Sequence, residues 1–138
     1  MSDGFALALQ KAVRVALLTD SGVTDLISTR LYDEPPANAV YPYARFGNIV
    51  ADTFDTDGST SADVAMTIIA HSRSTGRVEA SRIAEAIRQA LHRQEGAVSP
   101  TGFSLVELIC EQYYADRDDA AGRGYTATIM FSALMETA

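Results

Sequence analysis

The stretch RLYDEPPANAVYPYARFG, running from Arg30 to Gly47, divides the chain into two kinds of sequence. It holds Pro35, Pro36 and Pro42, three of the four prolines. Proline fixes φ, removes a donor and pushes the residue before it into an extended conformation. Glu34, Pro35 and Tyr41 are therefore poor helix residues, and the stretch reads as an extended surface connector that feeds a strand near Tyr43. The sequence before it has helical spacing. The sequence after it alternates like strands, with one helix inserted.

Upstream, residues 3–19 place Phe5, Ala8, Leu9, Ala12, Val13, Ala16 and Leu17 on one face at helical spacing. Ser2 or Asp3 stands where a cap belongs. Leu7 and Val15 lie off that stripe and Leu18 at its edge, which fits a wide core-facing stripe or, as the second choice, a contact with a neighbouring subunit. Asp20-Ser21-Gly22 reads as the end of this helix. Val23 to Ile27 then allows one short helical turn, with Leu26 and Ile27 inward.

Downstream, Tyr43 to Val50 and Ala62 to Ser72 read as strands. In the second, Val64, Met66, Ile68 and Ala70 alternate with Asp63, Ala65, Thr67 and His71; Ile69 interrupts the polar side. Between them lies the acidic segment Ala51 to Ser61, with a turn signal at Asp57-Gly58. It reads as part of a long hairpin whose tip projects from the body, with residues 52–61 as its loop. Residues 77–93 carry the stripe Ala80, Ile83, Ala84, Ile87 and Leu91 of a second helix, stopped by Glu95-Gly96 and Pro100. Phe103 to Tyr114 and Tyr125 to Met135 are the last strands. Val106, Leu108 and Cys110 are expected on one face of the former; Tyr125, Ala127, Ile129, Phe131 and Ala133 on one face of the latter. Their short polar connection requires an antiparallel pair. The expected fold is α+β in a single domain, 1–138: an antiparallel four-stranded sheet with two main helices packed on one face, in the order α-β-β-α-β-β.

The chain has 138 residues, enough to bury a core without staples. One cysteine, Cys110, leaves no internal disulfide and no multi-cysteine zinc site. Cys110 reads as a small buried hydrophobe without chemistry. No apolar run approaches a membrane span, and Met1 to Phe5 lacks the basic flank of a signal peptide. Synthesis in the cytoplasm is the expectation. The net charge of −7 argues against binding nucleic acid by phosphate neutralisation. Ten of the eleven basic residues are arginine, which suits interface ion pairs, although genome composition gives the same bias.

Candidate chemistry is sparse. Asp55 and Asp57 match the first ligands of a calcium loop, but Thr60 stands where its glycine belongs and Met66 where its closing glutamate belongs. Ser74-Thr75-Gly76-Arg77 lacks phosphate-loop spacing and reads as a helix cap, with Glu79 favourable in the first turn. His71, His92 and Cys110 fall on different elements. No nucleophile elbow or dinucleotide fingerprint is present. No catalytic residue, cofactor or metal ligand is assigned.

Leu31-Tyr32-Asp33, Pro35-Pro36, Tyr41-Pro42-Tyr43 and Gly47, followed by two strands, a helix ending in Ala-Leu-His92 and two more strands, resemble the tail terminator, or tail-completion, proteins of long-tailed phages and gene transfer agents. The resemblance covers nearly the whole chain. It implies a structural virion protein: a ring, expected to be a hexamer, at the head-proximal end of the tail tube. Such a ring stops tube polymerisation and joins the tail to head-completion (stopper) proteins. The implied partners are further copies of itself, the tail tube protein and the stopper. DNA would pass through the channel without specific binding, and no membrane is involved. The place would be the particle's tail, assembled in the bacterial cytoplasm. Candidate assembly residues are Tyr32, Tyr41 and Tyr43 in the connector, Asp52, Phe54, Asp55 and Asp57 in the acidic hairpin, and Arg117 and Arg123 in the last connection. A small hydrolase using loop carboxylates and a monomeric binding adaptor are the competing functions.

Overall fold

The computed structural model describes residues 3–118 and 124–138. Helix α1, Phe5–Leu18, buries Ala8, Leu9, Val13 and Leu17, the centre of the expected stripe. Gly4 occupies its N-cap with no side-chain bond, so Asp3 does not cap it; Ser2 lies outside the described residues. Asp20 does not end α1 but starts α2, Ser21–Ile27, by accepting the Val23 amide at 3.2 Å. A carboxylate at this position satisfies one of the free amides of the first turn.

Among the described residues the sheet has five strands rather than four. They are β1 (Leu31–Tyr32), β2 (Tyr43–Thr56), β3 (Ser59–Ser72), β4 (Phe103–Arg117) and β5 (Tyr125–Thr137), in the spatial order β1-β2-β3-β5-β4. The extra strand is two residues inside the connector, paired parallel to Ala44 and Arg45 of β2. It was invisible to periodicity because two residues have no period. The prolines that follow cannot supply ladder donors and release the chain from the sheet. The Tyr41–Pro42 bond is cis, and the Arg30 Nε donates to the Pro42 carbonyl at 2.7 Å. The other strand pairs are antiparallel, as expected.

The long hairpin with its turn at Asp57-Gly58 is present, but its strands run on past Val50 and begin before Ala62, which corrects the loop expected between them. No loop exists there: Asp52 pairs with Asp63, Phe54 with Ser61 and Thr56 with Ser59, leaving only Asp57-Gly58 to turn. Gly58 takes φ 83°, which glycine adopts without cost. The side chains are polar on both faces, so the apolar alternation fails, but the backbone ladder forms regardless.

Helix α3, Val78–Leu91, buries the five residues of its stripe. It crosses β3, β4 and β5, while α1 packs on β2 and β3 and α2 packs against α3. All three helices therefore lie on one face of the sheet. Burying Ile83, Ile87 and Leu91 there contributes about 1.5–3 kcal/mol each. The α3 N-cap is Arg77, without a side-chain cap bond. Ser72, at the end of β3, organises this end: its hydroxyl donates to Glu79 at 2.7 Å and accepts the Ser74 amide at 3.1 Å.

In β4 the register shifts between Leu105 and Glu107 and again between Cys110 and Gln112. The first bulge turns Val106 out of the expected face, leaving it 49% exposed. Leu105 and Leu108 pack inward, and Cys110 is only half-buried rather than buried. A third shift in β2, between Phe46 and Ile49, sits at Gly47-Asn48.

Candidate functional site

Two groups of sequence-selected residues occupy opposite ends of the sheet. Tyr43 begins β2 opposite His71, and Thr56 ends it opposite Ser59. The thirteen residue steps from one to the other span roughly 40 Å at about 3.3 Å per step. The tyrosines and the acidic hairpin are therefore separate surfaces.

At the first end the connector folds back so that Tyr32, Tyr41 and Tyr43 meet. The Tyr43 ring lies 5.8 Å from Tyr32 in an edge contact, 5.1 Å from Tyr41, and 4.8 Å from the His71 ring, on which it stacks. The Arg73 guanidinium sits 4.3 Å from the Tyr41 ring centroid, close enough for a cation–π attraction. Arg45 Nε donates to His71 Nε2 at 3.1 Å. Arginine has donors only, so His71 accepts there and carries its proton on Nδ1, 3.9 Å from the Asp118 carboxylate. Burial lowers the His71 pKa, Arg45 lowers it further, and Asp118 opposes them. Burial, followed by the neighbouring Tyr41, raises that of Tyr43. An open cleft of about 530 Å³ borders Tyr41, Tyr43, Ile69, His71 and Thr126. Arg117 ends β4 at this same end, opposite Tyr125; Arg123 lies outside the described residues. The sequence missed Arg45, His71, Arg73 and Asp118 as members of this cluster. The alternation of Tyr43 with Arg45 was a signal for a shared face, but the partners come from β3 and the β4–β5 connection, whose register no spacing reveals.

At the other end, Asp52 and Phe54 point to the sheet face that no helix covers, Asp55 stands on the opposite side, and Asp57 is in the turn. Phe54 is 42% exposed and Val50, on the same face, 52%. Asp55 accepts from Thr60 Oγ1 at 3.0 Å.

The two long sheet edges differ. On β4 the segment after α3 supplies partners: the Arg93 amide donates to the Leu108 carbonyl, Glu95 accepts the Leu108 amide, and His92 Nδ1 accepts the Cys110 amide. His92 thus spends its Nδ1 lone pair on the strand edge. The Leu108 amide also holds Glu95 below the usual carboxylate range. Farther along, Arg77 Nε donates to the Ala115 carbonyl at 3.3 Å. On β2, beyond the two residues covered by β1, no strand among the described residues lies beside the outer edge from Phe46 to Thr56.

Nothing in these surfaces positions a nucleophile, a base and an electrophilic pocket together. Among the described residues no group of three or more His, Cys, Asp or Glu could hold a metal. What the arrangement offers is aromatic area, arginine and backbone edge, the materials of protein contacts. The class it defines is a structural subunit, an α+β domain with one sheet face left open.

The chain belongs to the tail completion protein gp17 family, whose profile matches residues 11–136. It is thereby a structural tail-completion protein of the kind found in phages and gene transfer agents. Two solved structures share its fold. A chain from the virion of a native gene transfer agent particle is 25% identical, with a TM-score of 0.86 over 98% of this chain and 99% of that one. Bacteriophage SPP1 gp17 is 21% identical, with a TM-score of 0.57 over 93% and 88%. No curated protein matches.

Proposed function

We propose that the protein assembles into a ring of six at the head-proximal end of a phage-like tail tube, ends tube polymerisation there and joins the tail to head-completion proteins. The observation that carries this is the end-to-end likeness to a chain of the gene transfer agent virion, at TM-score 0.86 with nearly complete coverage of both chains. The surfaces suit such a role. A ring needs a heterologous contact that closes, and this subunit presents different surfaces at its two ends: tyrosines and arginines at one, aspartates and Phe54 at the other. Tyr32, Tyr41, Tyr43 and Arg117 are taken as one contact set, and Asp52, Phe54, Asp55 and Asp57 as another. The acidic surface repels DNA phosphates wherever it faces the channel, so DNA passes without binding.

Size-exclusion chromatography with light scattering, followed by electron microscopy of the protein mixed with tail tubes, tests this. Six-fold rings seated on one end of the tube are expected, with tubes that no longer elongate. A protein that stays monomeric with tubes present, or that leaves tube growth unchanged, overturns it.

A further inference from the structure

The outer edge of β2 has no use in the isolated domain. β1 covers it at Ala44 and Arg45 and then leaves at Asp33. From Ile49 to Thr56, beyond the bulge at Gly47-Asn48, alternate backbone amides and carbonyls face outward, and among the described residues no strand lies beside them. A long open edge is a template for another strand, and folded proteins blunt such edges. Both long edge strands carry bulges, but this chain blunts β4 further, with Arg77, His92, Arg93 and Glu95 bonded to its outward groups. It leaves β2 open. Charge marks the difference: Phe46 to Ser72 contains Asp52, Asp55, Asp57 and Asp63 and no lysine or arginine. Among the described residues no ion pair reaches these four. Asp52 and Asp63 stand directly opposite each other, an arrangement that is unfavourable unless something cationic lies beside it.

The geometry points to the β2 edge as the acceptor of an added strand: an extended basic segment of a different tail protein. A second copy of this chain fits poorly. Its β4 edge is already bonded at Leu108, Cys110 and Ala115, and pairing β2 with β2 would bring two acidic hairpins without lysine or arginine side by side. The incoming strand continues the track that β1 abandons. On the open face it meets Val50, Asp52 and Phe54, and on the helix side Ile49, Ala51 and Asp55. It therefore carries apolar residues alternating with lysine or arginine on both faces. Backbone bonds supply affinity and the alternate side chains supply selection, as in other strand additions. The inference rests on the assembly reading only in taking the partner to be another tail protein.

The test uses the full chain and an end-capped synthetic peptide of about ten residues, a usual strand length or slightly more, in which pairs of lysines alternate with valine-threonine pairs so that each face carries both kinds. A second peptide replaces each lysine by glutamate. Hydrogen–deuterium exchange is followed with and without each peptide. The basic peptide is expected to slow exchange roughly tenfold or more within residues 46–56 and to leave 103–117 unchanged. The acidic peptide is expected to do neither. Combining Asp52→Asn, Asp55→Asn and Asp57→Asn should weaken the basic peptide by roughly tenfold, the size of two or three exposed ion pairs. Raising the ionic strength should weaken binding to the unaltered protein in the same direction. The proposal is overturned if residues 46–56 exchange equally with and without the basic peptide, or if the acidic peptide protects them as well. It is also overturned if protection there grows with protein concentration alone, which would make a second copy the occupant. The peptide assay reads only this edge, so it fails independently of ring formation.

Discussion

Tyr43→Ala tests whether the connector is held by packing. Tyr43 is 8% exposed, and its ring contacts Tyr32, Tyr41 and His71. Truncation uncovers on the order of 150 Å² of aromatic surface, worth about 3–4 kcal/mol at 25 cal/mol per Å². The site faces the uncovered side of the sheet, so neighbouring rings and water can refill it. The expected loss is therefore about 3 kcal/mol, the low end for removing a buried ring. For a chain of this size that lowers Tm by roughly 10 °C. Urea unfolding at pH 7.5, with a shifted midpoint and an unchanged slope, measures it. Tyr43→Phe keeps the ring and should lose under about 1 kcal/mol. Tyr41→Ala, at a more open position, should lose about 1 kcal/mol, chiefly the cation–π contact with Arg73. A Tyr43→Ala protein that loses less than about 1 kcal/mol would refute the view that these rings order the connector within the single subunit.

His71 is held neutral, with its pKa below the ordinary 6.5 by burial and by Arg45. The unfolded chain then binds the extra proton first, so stability is full above about pH 6.5 and falls as pH drops through that value. His71→Gln should flatten this dependence in thermal scans between pH 7.5 and 5. Gly124 takes φ 125°, and a Cβ there would lie 2.3 Å from the Ser72 carbonyl oxygen; Gly124→Ala should cost on the order of 2–4 kcal/mol in urea unfolding. Burial raises the Cys110 thiol pKa, so a thiol reagent should label the native protein more slowly than a free thiol, and Cys110→Ala should cost about 1 kcal/mol or less. Glu85 accepts from Arg88, Gln89 and Tyr113 and is held down to about 2. Its stabilisation is present above the ordinary glutamate range and is lost as pH falls towards 2. NMR titration should place it there, with a stability effect below about 1 kcal/mol because the pair is exposed.

The sequence by itself determined the dry faces. The stripe Ala80–Leu91 and the alternation Ala127–Ala133 became the buried faces of α3 and β5, because apolar spacing records which side of an element leaves water. It also determined the turn at Asp57-Gly58 and the break at the prolines, since positive φ and a missing donor are local properties. Tertiary structure decided everything that depends on backbone pairing. The acidic segment 51–61 became paired strand, β1 appeared, Val106 swung out at a bulge, and one sheet edge was capped while the other stayed open. Every residue except proline carries the same amide and carbonyl, so ladder partners leave no mark in side-chain spacing. The cluster of Tyr43 with Arg45, His71 and Asp118 was hidden for the same reason: its members are brought together by the register of β2 on β3 and of β3 on β5, which is set by the fit of buried faces across the whole sheet.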